Sequence, residues 1–372
     1  MPAIRPLAPP SGRRPRGAGG PSLGRRLGAV AATAALVLAG ASVAQAHDVH
    51  ANVYKKRNLV SDIPGVARIT DPNLVNPWGM SAGPATPVWV SDNGTDVSTL
   101  YSGAIRRSVP VIAPLVVGIP GGAPTGTVFN PTSGFMVGGA PARFIFDSEA
   151  GQITAWNSGT EAQTVATTPG ASYKGLALAT RGKEAFLYAA NFHTGAIDVF
   201  DQSFAPVVRP GSFVDPNLPA GFAPFNVQQL AGRIVVSYAK QGPTGDDVAG
   251  PGNGYVDVFD TSGHLIRRLI SQGELNSPWG LVLAPRHFGA FSGDLLVGNF
   301  GDGNINAYDP RTGRFEGKLM NRDGNVIEIN GLWALRFGNG VIGTPRSLLF
   351  TAGIGDEDHG LFGEIVVRGS GE

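Results

Sequence analysis

Cysteine is absent from the 372 residues, and charged side chains make up only 15% of them. The first absence removes disulfides, Cys-ligated zinc and thiol nucleophiles together. The second, alongside 42% hydrophobic residues, excludes a self-repelling disordered chain. Sustained 3.6-residue apolar spacing is also missing beyond the N-terminal segment, so a helical bundle has nothing to pack with. The composition explains why: 54 Gly and 29 Pro make about 22% of the chain, against a usual share of roughly 12%. After residue 46 there is no H-E-x-x-H and no P-loop. GNGVIG at 338–343 matches G-x-G-x-x-G, but TPRSLLF follows it and reads as a strand. Without a helix N-terminus behind it, that loop is a hairpin turn and no pyrophosphate site.

The first 46 residues have one sign of charge only. They hold six Arg (Arg5, Arg13, Arg14, Arg16, Arg25 and Arg26) and no acid, then an apolar run from Leu27 to Val43 and an A-x-A site at Ala44-Gln45-Ala46. This is the anatomy of an export signal, and the Ala-rich run falls short of the ~20 residues a membrane span needs. The Arg25-Arg26 pair leaves both the general and the twin-arginine export routes open. Taking those six from the 29 basic residues leaves 23 against 28 acidic ones, a net of −5. The mature chain, residues 47–372, is thus expected to be one soluble, mildly acidic, secreted domain, extracellular or periplasmic. Lacking clustered Lys and Arg, it is expected to bind no nucleic acid, and after cleavage no membrane.

One pattern recurs along that domain: an apolar strand, a turn, a second apolar strand, a polar Gly/Asn/Asp loop, and a short third strand. Copies open at NPWGMSA (Asn76–Ala82), at ARFIFDSEAG before QITAWNSG (the weakest), at YKGLALA, FNVQQLA, SPWGLVLA and GLWALRFG. Short strands rich in Val, Ile, Leu, Phe and Tyr between turn residues read as antiparallel hairpins. Six copies in 326 residues average about 54 each, above the ~40–50 of small propeller repeats but in range once loops are added. A two-domain sandwich would be as rich in strands but would not repeat one motif. The expected fold is therefore all-β, a six-bladed β-propeller; five or seven blades would follow if copy two or the stretch 104–141 were miscounted. Copy six has three strands, and Val53–Asp62 has no partner before copy one. Their union would close the ring, the N-terminal strand pairing into the last blade. The Pro/Gly-rich segment Gly118–Gly139 reads as a surface connection with a short strand near Thr127-Val128-Phe129.

The strings NLVSDIPG, TDPNLVNPWGM, DNGTDVSTLY, PTGTVFN, NFHTGAIDVFD, DDVAGPGNGYVDVFD, FGAFSGDLLVGNFGDGNINAYDP and FTAGIGDEDHGLFG occur in that order. With these the chain resembles, over nearly all of Asn58–Gly363, a bacterial family of secreted proteins. The resemblance implies a six-bladed propeller of the NHL and gluconolactonase-like type. Some members end in a PEP-type sorting anchor that this chain does not show. It implies no catalytic residue.

Propeller geometry brings the starts of the inner strands and the loops between second and third strands to one face. The residues this nominates for a ligand-binding face are Asn76, Asp92, Asn93, Asn191, His193, Asn226, Asp246, Asp247, Asn276, Asn299, Asp302 and Asn330. In GIGDEDHG, Asp356, Asp358 and His359 are crowded into one turn whose repulsion Ca²⁺ or another divalent cation would relieve. Taken singly, each Asp or Asn is first a turn residue, because its side chain bonds nearby backbone. Trp78, Trp279 and Trp333 read as inter-blade core. The loop Gly242–Gly254 exceeds what a hairpin needs, and such loops tend to carry function. Two functions remain open. One is a monomeric binding or scaffold propeller for a protein, glycan or small ligand. The other is a metal-dependent hydrolase of lactonase or esterase type, with a cation in the central channel.

N-terminal sequencing of the exported protein is expected to start near His47; a chain that retains Met1 outside the cell would remove the signal-peptide reading.

Overall fold

The computed structural model describes residues 52–105 and 108–368. The export segment expected at 1–46 lies outside these residues. Six sheets make six blades, each antiparallel from the inside outward apart from a two-residue parallel strand, Ile69–Thr70, at the outer edge of the last. Blade 1 contains Pro77–Ser81, Val88–Asp92, Val97–Gly103 and Pro110–Ile112, with Val117–Gly118 added beside the third strand. Blade 2 contains Pro124–Phe129, Phe144–Ser148, Gln152–Trp156 and Gln163–Thr167. Blade 3 has three strands, Tyr173–Arg181, Glu184–Asn191 and Ala196–Asp201. Blade 4 contains Phe222–Leu230, Arg233–Lys240, Tyr255–Phe259 and Leu265–Ser271; blade 5 contains Pro278–Leu283, Leu295–Asn299, Ile305–Tyr308 and Phe315–Lys318.

Blade 6 takes strands from both ends of the chain. Leu332–Phe337, Leu348–Ile354 and His359–Val367 are followed outward by Tyr54–Ser61, which pairs antiparallel with the last strand from Tyr54↔Val367 to Ser61↔Leu361. Asp62 fastens this junction: its Oδ1 accepts the Gly360 N–H at 2.8 Å and its Oδ2 lies 2.7 Å from His359 Nδ1.

Strands are buried on both faces because each blade is packed between two others. Pro77–Ser81, Val88–Asp92 and Leu295–Asn299 are buried at every position. Apolar clusters fill the spaces between successive blades; Ile145 and Ile153 of blade 2, for example, share one with Leu176 and Leu187 of blade 3. This is why the strands read as continuous apolar runs more than as alternating ones.

The short strand expected near Thr127-Val128-Phe129 is present, but it belongs to a blade and not to a surface connection. Pro124–Phe129 is the inner strand of blade 2, paired with Phe144–Ser148. Its opening, Pro-Thr-Gly, aligns with Pro-Trp-Gly of blades 1 and 5. Thr125 stands where the other repeats carry an aromatic or a lysine, which hid the repeat inside a Pro/Gly-rich stretch.

Across the six inner strands the equivalent residues are Trp78, Thr125, Lys174, Phe225, Trp279 and Trp333, followed by Gly79, Gly126, Gly175, Asn226, Gly280 and Ala334. The glycines are dictated by neighbouring backbone. A Cβ on Gly79 would stand 2.4 Å from the Thr125 carbonyl oxygen, and one on Gly126 would stand 2.3 Å from the Leu176 nitrogen. Inner strands therefore approach more closely than any side chain allows.

At Gly126 that approach is held by a buried carboxylate. Asp147 Oδ1 accepts the Gly126 N–H at 2.6 Å and the Thr125 hydroxyl at 2.9 Å, while Oδ2 has no partner among the described residues. Burial pushes the Asp147 pKa up to about 7. In the unfolded chain it returns to about 3.9, so between these values the native state binds the extra proton. The Asp147 contribution is therefore fully present at acid pH and is lost as pH rises through about 7. Urea unfolding should show stability falling between about pH 4 and about pH 7, and Asp147→Asn should flatten that slope. An unchanged slope in the variant would refute the assignment.

Candidate functional site

The first of those layers closes the centre of the ring. Trp78 stacks on Trp333 with ring centroids 3.5 Å apart, and Trp279 meets both edge-on at 6.3 and 5.9 Å. Phe300 stacks on Trp333 at 4.0 Å, and Phe225 lies 5.9 Å from the same ring. Two of the three indole N–H groups bind the layer to the blades, while that of Trp78 is buried without a partner among the described residues. Trp279 Nε1 donates to the Lys174 carbonyl at 2.8 Å, and Trp333 Nε1 donates to Asn76 Oδ1 at 3.0 Å. The expectation that the three tryptophans are core is met, with the addition that they meet one another on the ring axis.

Above this plug, on the face where inner strands begin, stands one buried cation. Lys174 is 4% exposed; its Nζ pairs with Glu149 Oε1, lies 3.9 Å from Asp246 Oδ1, and sits 5.1 Å from the centroid of the Trp78 ring. Amides join the carboxylates around it. Asn93 Nδ2 donates to Glu149 Oε2 at 3.1 Å, and Asn76 Nδ2 donates to Glu357 Oε2 at 2.7 Å. Asn76 thus links the tryptophan layer to the acidic rim, and it does so from a left-handed backbone (φ 43°) that Asn tolerates. Burial raises the Glu357 pKa, as do the charges of Glu149 and Asp247. Burial likewise raises that of Asp247.

Beside this network is a cavity of about 340 Å³, lined by Ala249, Phe300, Asp302, Glu328, Asn330, Asp356 and Glu357 together with Gly301, Gly303, Gly331 and Gly353. No basic residue lines it. Among the described residues no ion pair engages Asp302, Glu328, Asp356 or Glu357, so the pocket is negative with an aromatic wall.

The structure sorts the nominated residues into four groups. Asn76, Asn93, Asp246 and Asp247 gather around Lys174, and Asp302, Asn330 and Asp356 reach the cavity. A second group is spent inside the blades. Asp92 accepts the Thr99 N–H at 2.9 Å, Asn191 donates to Asp198, Asn226 to the Trp279 carbonyl, and Asn299 to the Glu274 carbonyl. Asn276 accepts the Gly250 N–H at 2.6 Å and pins the long loop of blade 4. The third group, His193 and Asp358, is exposed. The fourth is His359, which faces Asp62 in the blade 6 junction. Among the described residues no three His, Asp or Glu side chains gather as a metal ion requires. The turn Asp356–Asp358–His359, nominated for a cation, thus splits between the cavity rim, solvent and the junction.

Sequence reasoning nominated none of Lys174, Glu149 and Glu357 as site residues. Lys174 had a readable signal: it is the sole charged residue at the third position of the repeat opening, where five copies carry Trp, Phe or Thr.

No family model matches the chain. It is 30% identical over 334 residues to uncharacterized protein R648 of Acanthamoeba polyphaga mimivirus, covering 84% of this chain and 80% of that protein. It is 32% identical over 299 residues to uncharacterized protein L690 of the same virus, covering 76% and 78%. Among solved structures, a streptogramin B lyase aligns with a TM-score of 0.49 at 11% identity, over 85% of this chain and 97% of that one. These curated relatives are viral, so the bacterial grouping rests on the motif strings alone.

Lys174→Met should leave Glu149 and Glu357 facing each other without a counter-charge. Losing one partner of a buried pair costs about 3–5 kcal/mol. With the Glu149 side chain 30% exposed, the expected loss is discounted to about 1–3 kcal/mol. The deficit should shrink as pH falls and Glu357, with its raised pKa, takes up a proton. A pH-independent deficit in denaturant titrations would mean that Lys174 serves packing alone.

Proposed function

We propose that this chain, which belongs to the family of the mimivirus proteins R648 and L690, is a binding module that takes an organic cation at its loop face. The observation that carries the reading is the acidic cavity beside the tryptophan plug. Its carboxylates, Asp302, Glu328, Asp356 and Glu357, are spread around about 340 Å³ without a basic residue in the lining. Converging carboxylates suit a point charge such as Ca²⁺. Spread carboxylates with an aromatic wall suit an amine or guanidinium on an organic body, for which Phe300 offers a ring face. A lysine or arginine side chain of a protein partner and a small free amine share this chemistry.

The hydrolytic alternative required several blades to send ligands to one cation in the channel. That centre is filled by Trp78, Trp279 and Trp333, and among the described residues no metal-holding group of three is present. Binding without turnover is therefore the reading the geometry favours. On the pattern of residues 1–46, the module acts after export.

Calorimetric titration with agmatine and with an arginine-containing peptide should give saturable binding that weakens as salt rises. The pair Asp302→Asn and Glu357→Gln should weaken it at least about tenfold. Titrations with Ca²⁺ and with neutral oligosaccharides serve as rivals. If either binds while the cations do not, the acidic-cavity reading falls.

A further inference from the structure

The tryptophan layer has a second side. Beneath it the inner strands enclose another cavity of about 170 Å³, which shares no lining residue with the acidic one. Trp279 borders it, Met80, Leu281 and Leu335 give it apolar walls, and Gln229, which is exposed, puts it in contact with solvent. Arg336 is its one charged lining residue, and no Asp or Glu lines it.

Two features of this cavity call for an anion. The Arg336 side chain donates from Nη2 to the Ala82 carbonyl at 2.8 Å, but its buried Nε has no partner and among the described residues it forms no ion pair. Burial, with no carboxylate to offset it, lowers the Arg336 pKa. A half-buried guanidinium whose buried Nε has no acceptor is costly, because the hydration lost there is not replaced. Independently, Thr127 lines the same cavity, is 6% exposed, and its buried Oγ1 has no hydrogen-bond partner. Thr127 is one of several buried hydroxyls without a partner among the described residues, and it is the one that shares a cavity with an arginine lacking a counter-charge.

We propose that this lower mouth of the channel is a binding site for a small organic carboxylate, held by Arg336 and Thr127 beneath Trp279. The planar guanidinium fork matches a carboxylate in geometry as well as charge. A single arginine among apolar walls fits one negative charge on an apolar or aromatic body. Phosphate and sulfate, with more charge and no apolar part, would leave those walls unused.

The test uses the mature chain, with benzoate as probe and benzamide as its neutral counterpart, at constant ionic strength. Benzoate should bind saturably and quench tryptophan fluorescence through Trp279, and benzamide should bind at least about tenfold more weakly. Arg336→Met should reduce benzoate affinity by at least that factor, Arg336→Lys by less, and Thr127→Val by a few-fold. Glu357→Gln, on the opposite side of the plug, should leave benzoate binding unchanged while weakening the organic cation, so the two sites fail separately. If Arg336→Met does not fold, the benzoate and benzamide contrast on the parent decides together with Thr127→Val. No saturable binding, equal binding of both probes, or a folded Arg336→Met with parental affinity would each overturn the proposal.

Discussion

The close approach of backbone to backbone at the fourth position of three repeat openings, Gly79, Gly126 and Gly280, is the constraint on which the rest of this molecule depends. Gly79 and Gly126 stand where a Cβ would run into the neighbouring strand's main chain, and Gly280 is nearly as tight, 2.8 Å from the Trp333 carbonyl oxygen. Because interiors are packed like crystals, blades that approach this closely leave little space on the ring axis. The residues just before the glycines, three of them tryptophans, fill that space. A wider ring would have left a channel.

That filling decides the chemistry of both ends. With the axis closed, the molecule offers two separate mouths in place of one pore. The upper one gathers carboxylates around the buried Lys174, and the lower one has Arg336 and no acid. Low-dielectric walls make each charge count for more than it would on an open surface. The same closure explains why Thr125 and Lys174 matter. Where a repeat lacks an aromatic, a polar group must be satisfied in its place, by Asp147 in one case and by Glu149 in the other.

Much of the nominated face was consumed by the scaffold itself. Asp92, Asn191, Asn226 and Asn299 lie on strands, where short polar side chains cap backbone groups that blade ends leave unpaired. His359 is held by Asp62 across 297 residues of sequence, a partnership that no local pattern announces. Local spacing could say that these residues come to one end of the blades, since strand direction follows from hairpin connectivity. It could not say which side chains turn inward to hold the blade and which outward to the cavity, because that depends on the neighbouring blade.

The sequence by itself determined the class of fold and favoured six blades over five or seven. It also showed that the strand from the N-terminal end and the last strand belong together, through repeated apolar strands and one copy short of a strand. Those are properties of local period and of counting. Blade 2 was legible in its outer strands and not in its inner one, since Thr125 and the surrounding prolines and glycines disguise Pro124–Phe129. Tertiary structure alone decided that the ring axis is plugged, that Lys174 is buried beneath acids, and that Arg336 lacks one. Those facts arise from the distances between strands far apart in the chain. Side chains at equivalent repeat positions meet only when the ring is complete, and their charges are judged only by the solvent the ring removes.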